Sequence, residues 1–137
     1  MKRNIIIFIV CILITVGLNY FSKQDYLAYS NLSYNITKVI NTQTGNYTLS
    51  VNNLNNIILM SSSSAQVITL PLNASTTIPV GTELEILQVG SGSVSFATST
   101  GVTLYSRGNL YAIGVQYAGA QLIKTDTDTW YLIGALN

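Results

Sequence analysis

The sequence predicts an all-β fold, an antiparallel β-sandwich or roll, preceded by an N-terminal hydrophobic helix that spans a membrane. Three observations predict it. Beyond residue 44, short apolar runs alternate with clusters of Gly, Pro, Asn and Ser, the punctuation of strands and turns. Residues 5–18 form an apolar run broken only by Thr15 and Gly17. Only 8% of the 137 residues are charged, while 13 Asn and 29 Ser or Thr supply the polarity, so the surface is made of neutral amides and hydroxyls.

The first element covers residues 1–25. Lys2 and Arg3 precede Ile5, Ile6, Ile7, Phe8, Ile9, Val10, Ile12, Leu13, Ile14, Val16 and Leu18, and Tyr20 and Phe21 follow as an aromatic edge. Side chains of this kind favour bilayer insertion by about 4 to 7 kcal/mol in sum. Residues 5–21 as a helix span about 25 Å, slightly under the ~30 Å hydrocarbon core, a mismatch that local thinning absorbs. The residues after the run, LNYFSKQD, are bulky and offer no small-x-small cleavage site. An uncleaved anchor is therefore expected, with a cleaved secretory signal and an apolar helix buried in a protein assembly as the alternatives. The early positive charges place the N-terminus inside and the remainder of the chain outside.

Residues 26–44 form a linker or stalk in which two periodicities compete. Tyr29, Leu32, Ile36 and Val39 lie at helical spacing, while Leu32, Tyr34, Ile36 and Ile40 alternate with polar neighbours as in a strand. The β-branched, Ser and Asn content favours the extended form.

Residues 45–137 read as a β-sandwich domain of seven or eight strands. The runs are YTLSV, IILM, QVITL, TELEILQV, SVSFATS, VTLYS, AQLIK and TWYLIGAL. Pro71 and Pro79 bracket a connection, because proline lacks the N–H that a central strand requires. In TELEILQV, Leu84 and Ile86 face one way and Glu83 and Glu85 the other; Val94 and Phe96 oppose Ser93 and Ser95 in the same manner. The last strand is apolar on both faces, with Trp130 and Leu132 on one and Tyr131 and Ile133 on the other. Either it sits at the centre of a two-layer core or its second face meets another subunit. A domain of this size without a disulfide or metal buries only about 60–65% of its unfolded surface, which points to further burial between chains.

Composition also excludes function classes. The formal charge is +1, with no basic stripe to displace counterions from phosphates, so no nucleic acid is expected as a partner. There is no histidine, which removes the commonest general base and metal ligand. The single cysteine, Cys11, lies inside the apolar run, so neither an intramolecular disulfide nor a cysteine metal site can form. Glu83 and Glu85 stand about 7 Å apart on one strand face, and a solvated strand face explains them better than a catalytic carboxylate pair. Asp126 and Asp128, in KTDTDTW, lack the further ligands of a calcium loop and read as hairpin-turn residues. The N-x-S/T triplets at Asn31, Asn35, Asn46 and Asn73 follow from composition. No catalytic residue, cofactor or metal site is expected. Tyr105, Arg107, Tyr111, Tyr117, Trp130 and Tyr131 are the candidate contact residues, for subunit packing first and for a cell-surface glycan as the alternative.

Three stretches, YTLSVNNLNNIILMSSSSAQVITLP, PVGTELEILQVGSGSVSFATSTGVTLYS and GVQYAGAQLIKTDTDTWYLIGAL, together resemble a recurrent β-domain of tailed-phage fibre, baseplate and head-decoration proteins. The likeness covers about residues 44–137. It rests on the order of a strand ending in Pro71, the Pro79–Gly81 turn, a Gly-Ser turn, the Gly101–Val102 strand start and a terminal hairpin bearing Trp130. The resemblance implies a non-catalytic virion module, commonly trimeric, that serves architecture or host attachment beside other virion proteins. The hydrophobic N-terminus departs from the usual fibre and adds a membrane. The expectation is thus a spike, vertex, fibre or capsid-decoration component in a virion, membrane-associated through residues 5–21 with the C-terminal domain outside. A bacterial or prophage-derived adhesion module in the cell envelope is the alternative.

Overall fold

A computed structural model of the chain describes residues 37–54 and 56–137. Strands dominate them, in the order β1 (Val39–Gln43), β2 (Tyr47–Thr48), β3 (Asn56–Met60), β4 (Gln66–Leu70), β5 (Glu83–Gln88), β6 (Val94–Thr98), β7 (Thr103–Ser106), β8 (Gly119–Asp126) and β9 (Thr129–Gly134). Three-residue 3-10 turns occur at Val51–Asn53 and Arg107–Asn109. The all-β expectation therefore holds for these residues. The membrane-anchor residues and the linker up to residue 36 lie outside them. Among the described residues no helix is long and apolar enough to cross a membrane.

Strand direction departs from the expectation. The strands form a six-stranded sheet in the order β1-β3-β5-β8-β9-β7 and a three-stranded sheet in the order β2-β4-β6. Five of the seven pairings are parallel, and only β5–β8 and β8–β9 are antiparallel. The expected antiparallel sandwich is thus corrected to a mixed two-sheet structure, and the physical reason lies in the turns. The short connections 44–46, 61–65 and 89–93 each carry the chain to the other sheet instead of folding a strand back on its neighbour. Successive strands then face each other across the core, and alternate strands pair in parallel. The first six strands make three stacked coils of a parallel winding.

The stacked turns show why glycine is needed in the Gly-Ser turn. The β3–β5 and β4–β6 partners are offset by the same number of residues, so turn 89–93 lies directly on turn 61–65. The Gly90 amide donates to the Met60 carbonyl at 3.0 Å, and a Cβ on Gly90 would stand 2.1 Å from the Ser62 carbonyl oxygen. No other residue fits there without moving backbone.

The winding closes with the β8–β9 hairpin, which enters the large sheet between β5 and β7. Residues 111–113 cover the outer edge of β6, with the Phe96 amide bonded to the Tyr111 carbonyl at 2.7 Å and the Ile113 amide to the Val94 carbonyl at 2.9 Å. This satisfies an edge that would otherwise template further pairing. The core is filled by Ile58, Met60, Leu84, Ile86, Leu122, Trp130 and Leu132 from the large sheet, against Ile68, Leu70, Val94 and Phe96 from the small one. The inward sets read from Leu84/Ile86 and Val94/Phe96 are buried as expected, and of the two apolar faces of the last strand it is Trp130/Leu132 that turns to the core.

Two expected elements change length. YTLSV supplies only the two-residue β2, because the chain turns into the 3-10 turn at Val51 and the Ser50 amide donates to Asn53 Oδ1 at 2.6 Å. The last residues of the expected linker, 39–43, pair along β3 as β1 and so belong to the β body.

Candidate functional site

The large sheet has two faces of similar apolarity. Its inner face is the core. Its outer face follows from the register: Ile40, Ile57, Glu85, Gln121 and Ile133 form one cross-strand row, Thr42, Leu59, Leu87 and Gly119 a second, and Glu83, Ile123, Tyr131 and Tyr105 a third. A water-facing strand surface would alternate polar residues here. Instead most positions are Ile, Leu or Tyr. Tyr105 and Tyr131 are neighbours across β7 and β9, with ring centroids 5.2 Å apart and planes tilted by 36°, and together they form a ridge. Beside it lies an open hollow of about 360 Å³, lined by Glu85, Leu87, Gly119, Gln121, Ile133 and Gly134. Leu87 leans over Gly119 on one side of the hollow, where a Cβ on the glycine would stand 2.7 Å from the Leu87 side chain.

The two carboxylates of this face are occupied. Glu85 Oε1 receives the Lys38 ammonium at 2.7 Å, and Glu83 Oε2 accepts from Gln121 Nε2 at 3.0 Å. Each carboxylate has its own partner, so the arrangement keeps charge quiet on an apolar surface.

The candidate contact residues separate. Tyr105 and Tyr131 stand together on the outer face, with exposed Arg107 just beyond the end of β7. Tyr117 projects from the loop between the 111–113 segment and β8, 80% exposed, and holds a left-handed backbone with φ of 66°. Tyr111 is half-buried against the core, its hydroxyl donating to the Leu104 carbonyl at 3.3 Å. Trp130 is buried, which corrects its place among the contact residues. Inward and outward positions alternate along β9, and its side chain takes the core side. Sequence reasoning missed Ile57, Leu59, Leu87 and Ile123 as members of the outer face, because each shares its row with residues far away in sequence.

The aspartates of the β8–β9 turn have structural work. Asp126 Oδ1 accepts from the Thr127 amide at 2.7 Å, while Asp128 Oδ1 accepts from the Asn73 amide at 2.6 Å and so fastens the long 71–82 connection. Lys124 fastens the same connection from inside, its Nζ donating to Asn73 Oδ1 and to the Ile78 carbonyl, each at 2.7 Å. Burial pushes its ammonium below the ordinary lysine range, with Asp128 opposing the shift. Among the described residues no group of three or more acidic or cysteine side chains is placed to hold a metal. Comparison of the chain with protein-family models, with curated proteins and with solved structures gave no match.

Proposed function

We propose that this protein is a non-catalytic structural component of a phage particle, a spike, vertex, fibre or decoration subunit that displays its β body for assembly or host attachment. The observation that carries this reading is the apolar outer face of the six-stranded sheet, a second hydrophobic surface that a free-standing domain would make polar. The particle setting is supported by the likeness of the three quoted stretches to phage β-domains. The hydrophobic leader, residues 5–21, supplies attachment to lipid, with the body outside.

In this reading function is geometry. Insertion fixes one end, and several copies, three by the resemblance, present their outer ends together so that weak contacts add through effective concentration. Tyr117, exposed on its loop, is suited to stack on a sugar ring of a host surface. Of the described cations, Lys124 is buried and Lys38 is paired with Glu85, which leaves little to attract a phosphate backbone.

The test is fractionation of purified particles. The chain should co-purify with infectious particles at fixed stoichiometry and leave them on mild detergent extraction. Recovery only from bacterial envelopes, with none in particles, would overturn the reading in favour of an envelope adhesion module. Removing residues 1–22 should abolish flotation with lipid vesicles, and unchanged flotation would refute the anchor.

A further inference from the structure

We infer that the outer face of the six-stranded sheet is a self-association surface, on which the Tyr105–Tyr131 ridge of one copy seats in the Gly119 hollow of another. The inference deepens the assembly reading above and rests on it for its biological setting. Area is the first argument. Tyr105, Tyr131, Ile133, Leu87 and Ile40 are 52%, 44%, 48%, 38% and 57% exposed. At about 150–250 Å² for large side chains, they leave roughly 450 Å² of apolar surface open, in the middle of the range for the largest patch on a monomer. Adding half-buried Ile57, Leu59 and Ile123 and the polar fringe of Gln121, Glu83 and Glu85 brings the face close to the ~800 Å² that each partner contributes to a stable interface.

Charge selects the occupant. Both carboxylates on the face are already partnered, Glu85 by Lys38 and Glu83 by Gln121. A cationic partner would find no free carboxylate there and an anionic one only Arg107 at the margin, whereas a second neutral apolar sheet face meets no repulsion. The face of another copy has that character. Shape agrees, since one face carries both the raised tyrosine pair and the depression beside it. A ridge and a hollow at different places on one surface allow identical chains to pair by that surface.

The test is cysteine cross-linking of the full chain in detergent micelles, with Cys11→Ser as background and Tyr105→Cys and Gln121→Cys together. Within one chain these positions lie two strands apart and two residues out of register, about 12 Å, beyond the ~7 Å limit for a disulfide, so any bond must join two copies. Oxidation should convert most of the protein to covalent oligomers, ending at the trimer if three copies close a ring. Adding Ile133→Lys should reduce the yield at least tenfold while the circular dichroism spectrum and cooperative melt are kept. Val80→Cys with Gln121→Cys should give no such product. Folded protein that fails to cross-link through positions 105 and 121, or cross-links undiminished with Ile133→Lys, would overturn the inference. A monomer whose Tyr131 is nonetheless shielded from modification assigns the cover to another segment and also overturns it. Cross-links in a protein that is absent from particles would sink the functional reading alone.

Discussion

Lys124 holds its ammonium 5.6 Å from the ring centre of Trp130, inside the core between the long 71–82 connection and the closing hairpin. Its two 2.7 Å hydrogen bonds and the ring face offset part of the cost of burying a charge. Replacing it with methionine keeps the volume and strands the Ile78 carbonyl and the Asn73 amide oxygen. We expect Lys124→Met to destabilise by about 1–3 kcal/mol in denaturant unfolding at neutral pH. The pH dependence is the sharper signature. Burial lowers the folded-state pKa below the ordinary 10.5, so between those two values the unfolded chain binds more protons than the folded one. Stability from this group must therefore rise with pH through that window, the reverse of a lysine strengthened by a surface ion pair. The difference between wild type and Lys124→Met should carry this slope. A flat difference from neutral pH to 10.5 would contradict it.

Trp130 and Tyr131 are adjacent in β9 and face opposite ways, one in the core and one on the outer surface. Trp130→Ala should cost about 3–5 kcal/mol and broaden or abolish the thermal transition, because it opens a cavity in the core beside its cross-strand neighbours Leu104 and Lys124. Tyr131→Ala should change the stability of the isolated fold by under about 1 kcal/mol. Its effect should appear in association, as a fall in the oligomer fraction by sedimentation. Equal destabilisation by both substitutions would contradict the assignment of faces.

Gly90 tests the parallel stacking of the coils. In an ordinary antiparallel hairpin an alanine at a turn is tolerated at modest cost, but here its Cβ would meet the Ser62 backbone on the coil below. Gly90→Ala should destabilise by about 2–4 kcal/mol, read as a fall in Tm, whereas Gly45→Ala, whose Cβ would have nothing within 4 Å, should change it by less than about 1 kcal/mol. Matching effects at the two glycines would argue against turns 61–65 and 89–93 lying one on the other.

The contrast among these positions shows what the sequence could carry. Alternation along each strand encodes which side chains share a face, so Leu84, Ile86 and Phe96 were legible as core, while the two apolar faces of β9 left the side taken by Trp130 and Leu132 open. Strand direction was not legible, because period-two alternation is the same whether a neighbour runs parallel or antiparallel. It depends on whether a turn such as 61–65 returns the chain to its own sheet or crosses to the other. The outer face was half legible for the same reason. Tyr131 and Ile133 declared a second apolar side, but the companions Ile57, Leu87 and Ile123 join it only through register. The long-range fastening of Asn73 by Lys124 and Asp128 left no local pattern at all.

Tyr117 combines high exposure with a backbone φ of 66°, a region that costs an L-residue about 1–2 kcal/mol and that glycine enters freely. Its amide donates to the Gln88 carbonyl at 2.7 Å and the neighbouring Gln116 Nε2 donates to the Val89 carbonyl at 2.9 Å, so the loop is pinned in this shape. The tyrosine side chain recovers little of the cost, being largely in solvent. Tyr117→Gly should therefore stabilise the fold by about 0.5–1 kcal/mol in chemical denaturation, after allowing for the extra entropy of unfolded glycine. If the ring is the host-contact group, adsorption of particles to cells should fall in the same variant, so that stability and attachment move in opposite directions. Such a trade is expected where strain is retained for a purpose. Loss of stability in Tyr117→Gly would mean that the side chain holds the loop, and the strain argument would fail.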